Sequence, residues 1–172
     1  MIGPEQDPAS TADREIVNTR VLNAPRQLVF RALSEPEHLA RWWGPKDFRS
    51  TLHQFDFRPG AHWDITLHGP DGVDYRNEYV LLEAVEPERI VINHPDPAHN
   101  FQLIIVLTEE GKSTRLTWCM RFESTEHCEQ VKPFVIEANE QSLDRLEAEL
   151  AKMKRMEGGR NGITGCLSKA TS

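Results

Sequence analysis

Chemistry in this chain would have to rest on seven histidines, three cysteines and a scatter of aromatic side chains. His62, His68, His94 and His99 gather around predicted turns, and imidazoles brought together in that way suit zinc or a similar ion. Their spacing argues against a metal, because the chain has neither HExxH nor a paired His/Cys motif. Alternation along His62-Trp63-Asp64-Ile65-Thr66-Leu67 places His62, Asp64 and His68 on the polar side of a strand. These histidines read as solvated surface groups, and no metal or other cofactor is expected. Cys119, Cys128 and Cys166 are odd in number and lack a CxxC pair, which fits reduced structural thiols.

His94-Pro95-Asp96-Pro97-Ala98-His99-Asn100 is the longest polar loop in the strand-rich region. Two histidines and an aspartate there could hold an acid–base group at a cavity mouth, with a proline-stiffened connection as the plainer alternative. Because GxSxG, GxxxxGK[ST] and GxGxxG are all missing, serine hydrolysis, nucleotide hydrolysis and dinucleotide chemistry have no support. An enzyme would need dispersed polar groups such as Tyr75, Glu78 or Tyr79 on one strand, where Glu78 and Tyr79 must face opposite sides. No catalytic residue is assigned.

Binding has more to draw on. Trp42, Trp43, Phe55, Trp63, Tyr75, Tyr79, Phe101, Trp118 and Phe134 are the kind of side chains that line ligand cavities, and equally the kind that build cores. Met120 shares a strand face with Trp118, and Leu143 lies on the apolar stripe of a long helix, so both join the candidate lining. Asn139 and Ser142 flank that stripe and could offer hydrogen bonds inside or face solvent. Within the aromatic set, Trp42 and Trp43 also read as anchors of the short helices. A typical small-molecule cavity starts at about 300 Å³.

Positioning these residues takes a simple order of elements. Val17, Thr19 and Val21 alternate with polar residues up to Asn23-Ala24-Pro25, which predicts a strand. Leu28, Val29, Ala32 and Leu33 recur at helical spacing after Pro25. Ser34-Glu35-Pro36-Glu37 has capping-box spacing for a second short helix that Gly44-Pro45 ends. Six strands follow, divided by turn chemistry, over about Phe48–Phe57, His62–Leu67, Asp74–Leu82, Arg89–Asn93, Asn100–Thr108 and Ser113–Phe122. Leu116, Trp118, Met120 and Phe122 make one face of the last strand apolar, and that face needs a cover. The remaining helical stripe, from about Pro133 to Glu157 with Val135, Ala138, Leu143, Leu146, Leu150 and Met153, supplies it. An α+β fold of order β-α-α-β6-α results, a seven-stranded antiparallel sheet wrapped around a long C-terminal helix. It occupies residues 13–157, with disordered tails expected over 1–12 and 158–172.

The chain's 172 residues suit one domain with its own core, and 38% hydrophobic with 27% charged residues is a globular balance. A net charge of −7 without a basic stripe excludes a nucleic-acid partner. Residues 1–13 lack the basic start and apolar core of a leader, and no apolar run approaches the roughly 20 residues of a membrane span. A cytoplasmic protein with no membrane partner is expected. An exposed sheet edge or the Trp42-Trp43 pair could mediate a homodimer.

Several segments, in order, resemble the SRPBCC (START-like) superfamily, and within it single-domain bacterial members of the AHSA-like group, named after an activator of a heat-shock chaperone's ATPase. They are Ala24-Pro25 with Val29-Phe30, Leu33-Ser34-Glu35-Pro36-Glu37, Trp42-Trp43-Gly44-Pro45, Phe57-Arg58-Pro59-Gly60, Gly69-Pro70-Asp71-Gly72, Pro87-Glu88-Arg89-Ile90, and Gln141-Ser142-Leu143-Asp144-Arg145-Leu146. The resemblance implies a helix-grip fold with a cavity between long helix and sheet, which in various relatives takes lipids, sterols, polyketides or plant hormones. It therefore favours a binder of a small hydrophobic molecule. A chaperone ATPase co-factor and a polyketide cyclase-like or hydrolase-like enzyme are the alternatives, the first weakened because the eukaryotic activator carries a further N-terminal domain.

Overall fold

The computed structural model describes residues 11–171, with side chains from 11 to 157. The tail expected over 1–12 therefore lies outside the described residues except for Thr11 and Ala12, and the tail expected over 158–172 lies outside those with described side chains. After a short 3-10 turn at Ala12–Arg14, the order is β1 (Glu15–Leu22), α1 (Arg26–Ser34), α2 (Pro36–Trp42), β2 (Arg49–Gln54), β3 (His62–His68), β4 (Asp74–Val85), β5 (Arg89–His94), β6 (Phe101–Glu110), β7 (Ser113–Phe122) and α3 (Thr125–Thr171). All neighbouring strands are antiparallel, in the order β1-β7-β6-β5-β4-β3-β2. This is the helix-grip arrangement of one sheet around one long helix.

Register slips at His53 in β2 and Leu82 in β4 insert a bulge into each strand. Bulges bend a strand and raise its twist, which lets the sheet curl around a cylinder about 10 Å across. The helix lies chiefly against β1 and under α1 and α2. Leu143, Leu146, Leu150 and Met153 of α3 share one buried cluster with Leu22, Leu81, Ile92 and Leu116 of the sheet. Each such side chain, once fully buried, contributes roughly 1.5–3 kcal/mol.

Two helix starts differ from the sequence expectation. Ser34 belongs to the last turn of α1, and Glu35 takes the N-terminal position of α2 without a side-chain cap, so the Ser34–Glu37 box does not form. Pro36, in the first turn, leaves no orphan N–H to satisfy. The long helix begins at Thr125 rather than near Pro133, because Ser124 accepts the N–H of His127 on its hydroxyl at 3.1 Å and so caps the first turn. Pro133 sits inside the helix, where its missing N–H leaves the carbonyl of Glu129 without a helical partner. Among the described residues, no helix is long and apolar enough to cross a membrane.

Candidate ligand cavity

A cavity of about 140 Å³ lies where the end of α2, the middle of α3 and the inner face of the sheet meet. Its floor is Tyr79 of β4, Phe101 and Leu103 of β6, and Trp118 and Met120 of β7. Asn139 and Ser142 of α3 form the roof, and Trp42, Trp43 and Gly44 close the side. Strand alternation delivers the floor, since Trp118 and Met120 point the same way from β7 and pair in register with Ile105 and Leu103. The rings pack edge-on, with Trp43 centred 5.8 Å from Tyr79 and Trp42 6.0 Å from Trp118. Gly44 ends α2 at φ +108°, and a Cβ there would stand 2.9 Å from Leu67 Cδ2, so this turn admits only glycine.

The lining is uncharged but not inert. Trp42 Nε1 donates to the carbonyl of Ala32 at 2.9 Å, and behind the lining Trp63 Nε1 donates to that of Asp56 at 3.0 Å. Trp118 Nε1 is buried with no partner among the described residues. Leaving such a donor unmade costs about 1–3 kcal/mol. Burial pushes the Tyr79 phenol far above its usual range, with a hydrogen bond from Trp43 acting the other way, so the group stays protonated. Asn139 donates to Asn18 Oδ1 at 3.0 Å and lies 3.4 Å from the sulfur of Met120, while Ser142 donates to the carbonyl of Ala138 at 3.1 Å. With that proton placed, the Ser142 oxygen is left as an acceptor.

The eleven residues proposed from sequence divide into three groups. Tyr79, Phe101, Trp118, Met120, Asn139 and Ser142 meet around the cavity. Phe55, Trp63 and Leu143 pack in the core behind it, with Phe55 and Trp63 centred 4.5 Å apart. Tyr75 and Phe134 lie outside. Tyr75 has the same parity as Tyr79 but sits two pleat repeats nearer the start of β4, 46% exposed. Phe134 is 77% exposed because the inward stripe of α3 runs Val131, Val135, Asn139, Ser142, Leu146 and passes it by. Gly44 and Leu103 line the space without a signal in the sequence, and Trp42 and Trp43, named among the aromatic candidates, join them; Trp-Trp-Gly-Pro marks the helix end, but only the tertiary fold shows that this end abuts β7.

His94 is not a solvated surface histidine as expected. It is 5% exposed, stacked 4.8 Å from Phe101, because it shares the inner face of β5 with Ile90 and Ile92. Its nitrogens contact the carbonyl oxygen of His99 at 2.8 Å and Asn77 Oδ1 at 3.1 Å. Asp96 spends Oδ1 on the N–H groups of Ala98 and His99, which hold its carboxyl below the usual range. Both side chains thus fasten the loop. Burial, followed by the nearby Glu15, pushes the Cys119 thiol up to about 11, so it stays a thiol at neutral pH. Cys128 is buried and Cys166 lies beyond the described side chains.

A family model described as Activator of Hsp90 ATPase homolog 1-like protein matches residues 23–151. Among solved structures, a Nitrosomonas europaea protein superposes with a TM-score of 0.76 at 23% identity, over 86% of this chain and 99% of the other. An Arthrobacter aurescens protein gives 0.76 at 20% identity, over 83% and 89%. One from Chromobacterium violaceum gives 0.67 at 25% identity, over 80% and 96%. No functionally curated protein matches.

Proposed function

The chain belongs to the family of activator of Hsp90 ATPase homolog 1-like proteins, and within that fold we propose that it binds a small, neutral, largely apolar molecule of about one ring that presents a single hydrogen-bond acceptor to Trp118. The buried, unpartnered indole N–H of Trp118, a residue of the aromatic, uncharged lining, carries this reading. Size limits the ligand. At about 140 Å³ the space is less than half of the roughly 300 Å³ at which drug-sized sites begin and near the roughly 150 Å³ that accommodates benzene in an engineered apolar cavity. Sterols and polyketides would need α2 to move.

Acetophenone and α-methylstyrene test the reading, because they differ only in placing an oxygen or a CH₂ at one position. Acetophenone is expected to bind about tenfold more tightly in calorimetry or ligand-observed NMR. Trp118→Phe, which keeps an aromatic ring but removes the donor, should erase that preference. Equal affinity for the two, or a preference that survives Trp118→Phe, would sink the reading.

The family description favours a second reading, a chaperone co-factor, for which Phe134 and Ile136 offer exposed apolar surface on α3. It requires that saturating protein raise a heat-shock chaperone's ATPase rate and that Phe134→Ser remove the effect. An unchanged rate disposes of it.

A further inference from the structure

His99 and His127, 28 residues apart in sequence, meet at the junction of the β5–β6 loop with the first turn of α3. His99 Nδ1 and His127 Nε2 stand 3.3 Å apart, with ring centroids at 5.3 Å and planes at 34°. Without a metal, one ring can donate to the other as a long N–H···N hydrogen bond, its direction set by the tautomers. As a chelate bite the same separation fits, since two metal–nitrogen bonds of about 2.0–2.1 Å at a tetrahedral angle span about 3.3–3.4 Å.

Both residues are held through their backbones, and the His127 ring also by an aromatic neighbour. The N–H of His99 donates to Asp96 Oδ1 at 3.1 Å and its carbonyl faces His94 Nδ1 at 2.8 Å, so the backbone is pinned on either side. His127 is fixed by the Ser124 cap and by the ring of Phe122, centred 5.6 Å away. Support of this kind keeps a ligand pair within the tolerance a metal demands. A cleft of about 280 Å³ opens beside His127, lined also by Asn100, Glu123 and Ser124.

We propose that His99 and His127 chelate a divalent late transition-metal ion of the Zn²⁺, Ni²⁺ or Cu²⁺ class, with solvent completing the coordination. Two imidazole nitrogens select that class over Mg²⁺ and Ca²⁺, which prefer oxygen. When bound, His99 carries its proton on Nε2 and His127 on Nδ1. A second group, Glu35, Glu37 and His38, brings its ligand atoms within 4.8 Å of one another. Two of its members are already engaged, Glu35 by Arg31 at 3.0 Å and His38 by Glu149 at 2.7 Å.

Calorimetric titration of the full chain with Zn²⁺ near neutral pH tests the site. One ion per chain is expected, weakened at least about tenfold by either His99→Ala or His127→Ala and unaffected by His38→Ala, with Cu²⁺ binding more tightly than Zn²⁺. Thermal melts without metal should leave both variants near wild type; His99→Gln and His127→Gln replace any variant that melts low. Absent Zn²⁺ binding, or binding that survives both histidine substitutions or is lost in His38→Ala, would overturn the proposal.

Discussion

The guanidinium of Arg145 reaches from α3 to three carbonyls around the end of α2, those of Gly44 at 2.8 Å, Pro45 at 3.1 Å and Arg41 at 3.0 Å. Helix ends leave such carbonyls without partners, and a planar fork can serve several at once. Burial pulls the Arg145 pKa down, with Asp47 acting the other way. Arg145→Met is expected to cost about 2–3 kcal/mol, seen as a Tm lower by about 5–10 °C. Arg145→Lys should recover less than half, because one ammonium cannot span the three acceptors. Hydrogen exchange should locate the loss in α2, and acetophenone affinity should fall with it, since Trp42 and Trp43 close the cavity from that helix. A Tm within 1 °C of wild type for both variants would refute this role. At this scale the sequence was informative where parity alone decides: Tyr79 against Glu78, or Trp118 with Met120. It was uninformative where depth along an element decides, which is why Tyr75 and Tyr79 looked alike. His94 was legible in principle, because Ile90, Ile92 and His94 share a period of two, but a histidine beside a proline loop invites a surface reading.

Elements were read from punctuation, and they came out as well as their punctuation was clear. Each of the six later strands was bounded by glycine, proline or acid-rich turns, and β7 occupies the expected Ser113–Phe122. The curvature was hidden, since the bulges at His53 and Leu82 have no marker such as glycine. The start of α3 was misplaced because Pro133 resembles a first-turn proline, whereas the true signal, Ser124 ahead of Thr125-Glu126-His127, is a common polar string. That difference matters beyond bookkeeping. Only a helix that begins at Thr125 presents His127 to the β5–β6 loop and Cys128 to Ile16 and Phe122 in a second apolar cluster. The candidate metal pair and the lower edge of the core thus depend on eight residues of helix that lie before the proline.

At the scale of the whole molecule, the grip of the sheet on α3 is partly ionic. The inner face of β1 carries Ile16, Asn18, Arg20 and Leu22, so two of its four positions are polar. Asn18 donates to Glu140 at 2.7 Å, and Arg20 pairs with Glu140 at 2.8 Å, Asp144 at 2.7 Å and Glu147 at 3.2 Å. The Asn18 hydrogen bond, then the one from Arg20, hold the Glu140 carboxyl below its ordinary 4.5. Asp64 is lowered by Arg76, and Glu15 is lowered despite burial by Thr11 and Arg121. A carboxyl depressed in the folded state stabilises the protein above its unfolded pKa, and that contribution disappears as pH falls through the folded value. Urea midpoints should therefore drop as pH falls below about 4.5. Glu140→Gln should be less stable than wild type at neutral pH, and the two curves should converge in acid, where wild-type Glu140 is also uncharged. Because the Glu140 side chain is 42% exposed, salt near 1 M should shrink the neutral-pH gap. Parallel curves that never converge would mean that Glu140 holds α3 by packing, and that the β1 clamp does not depend on charge.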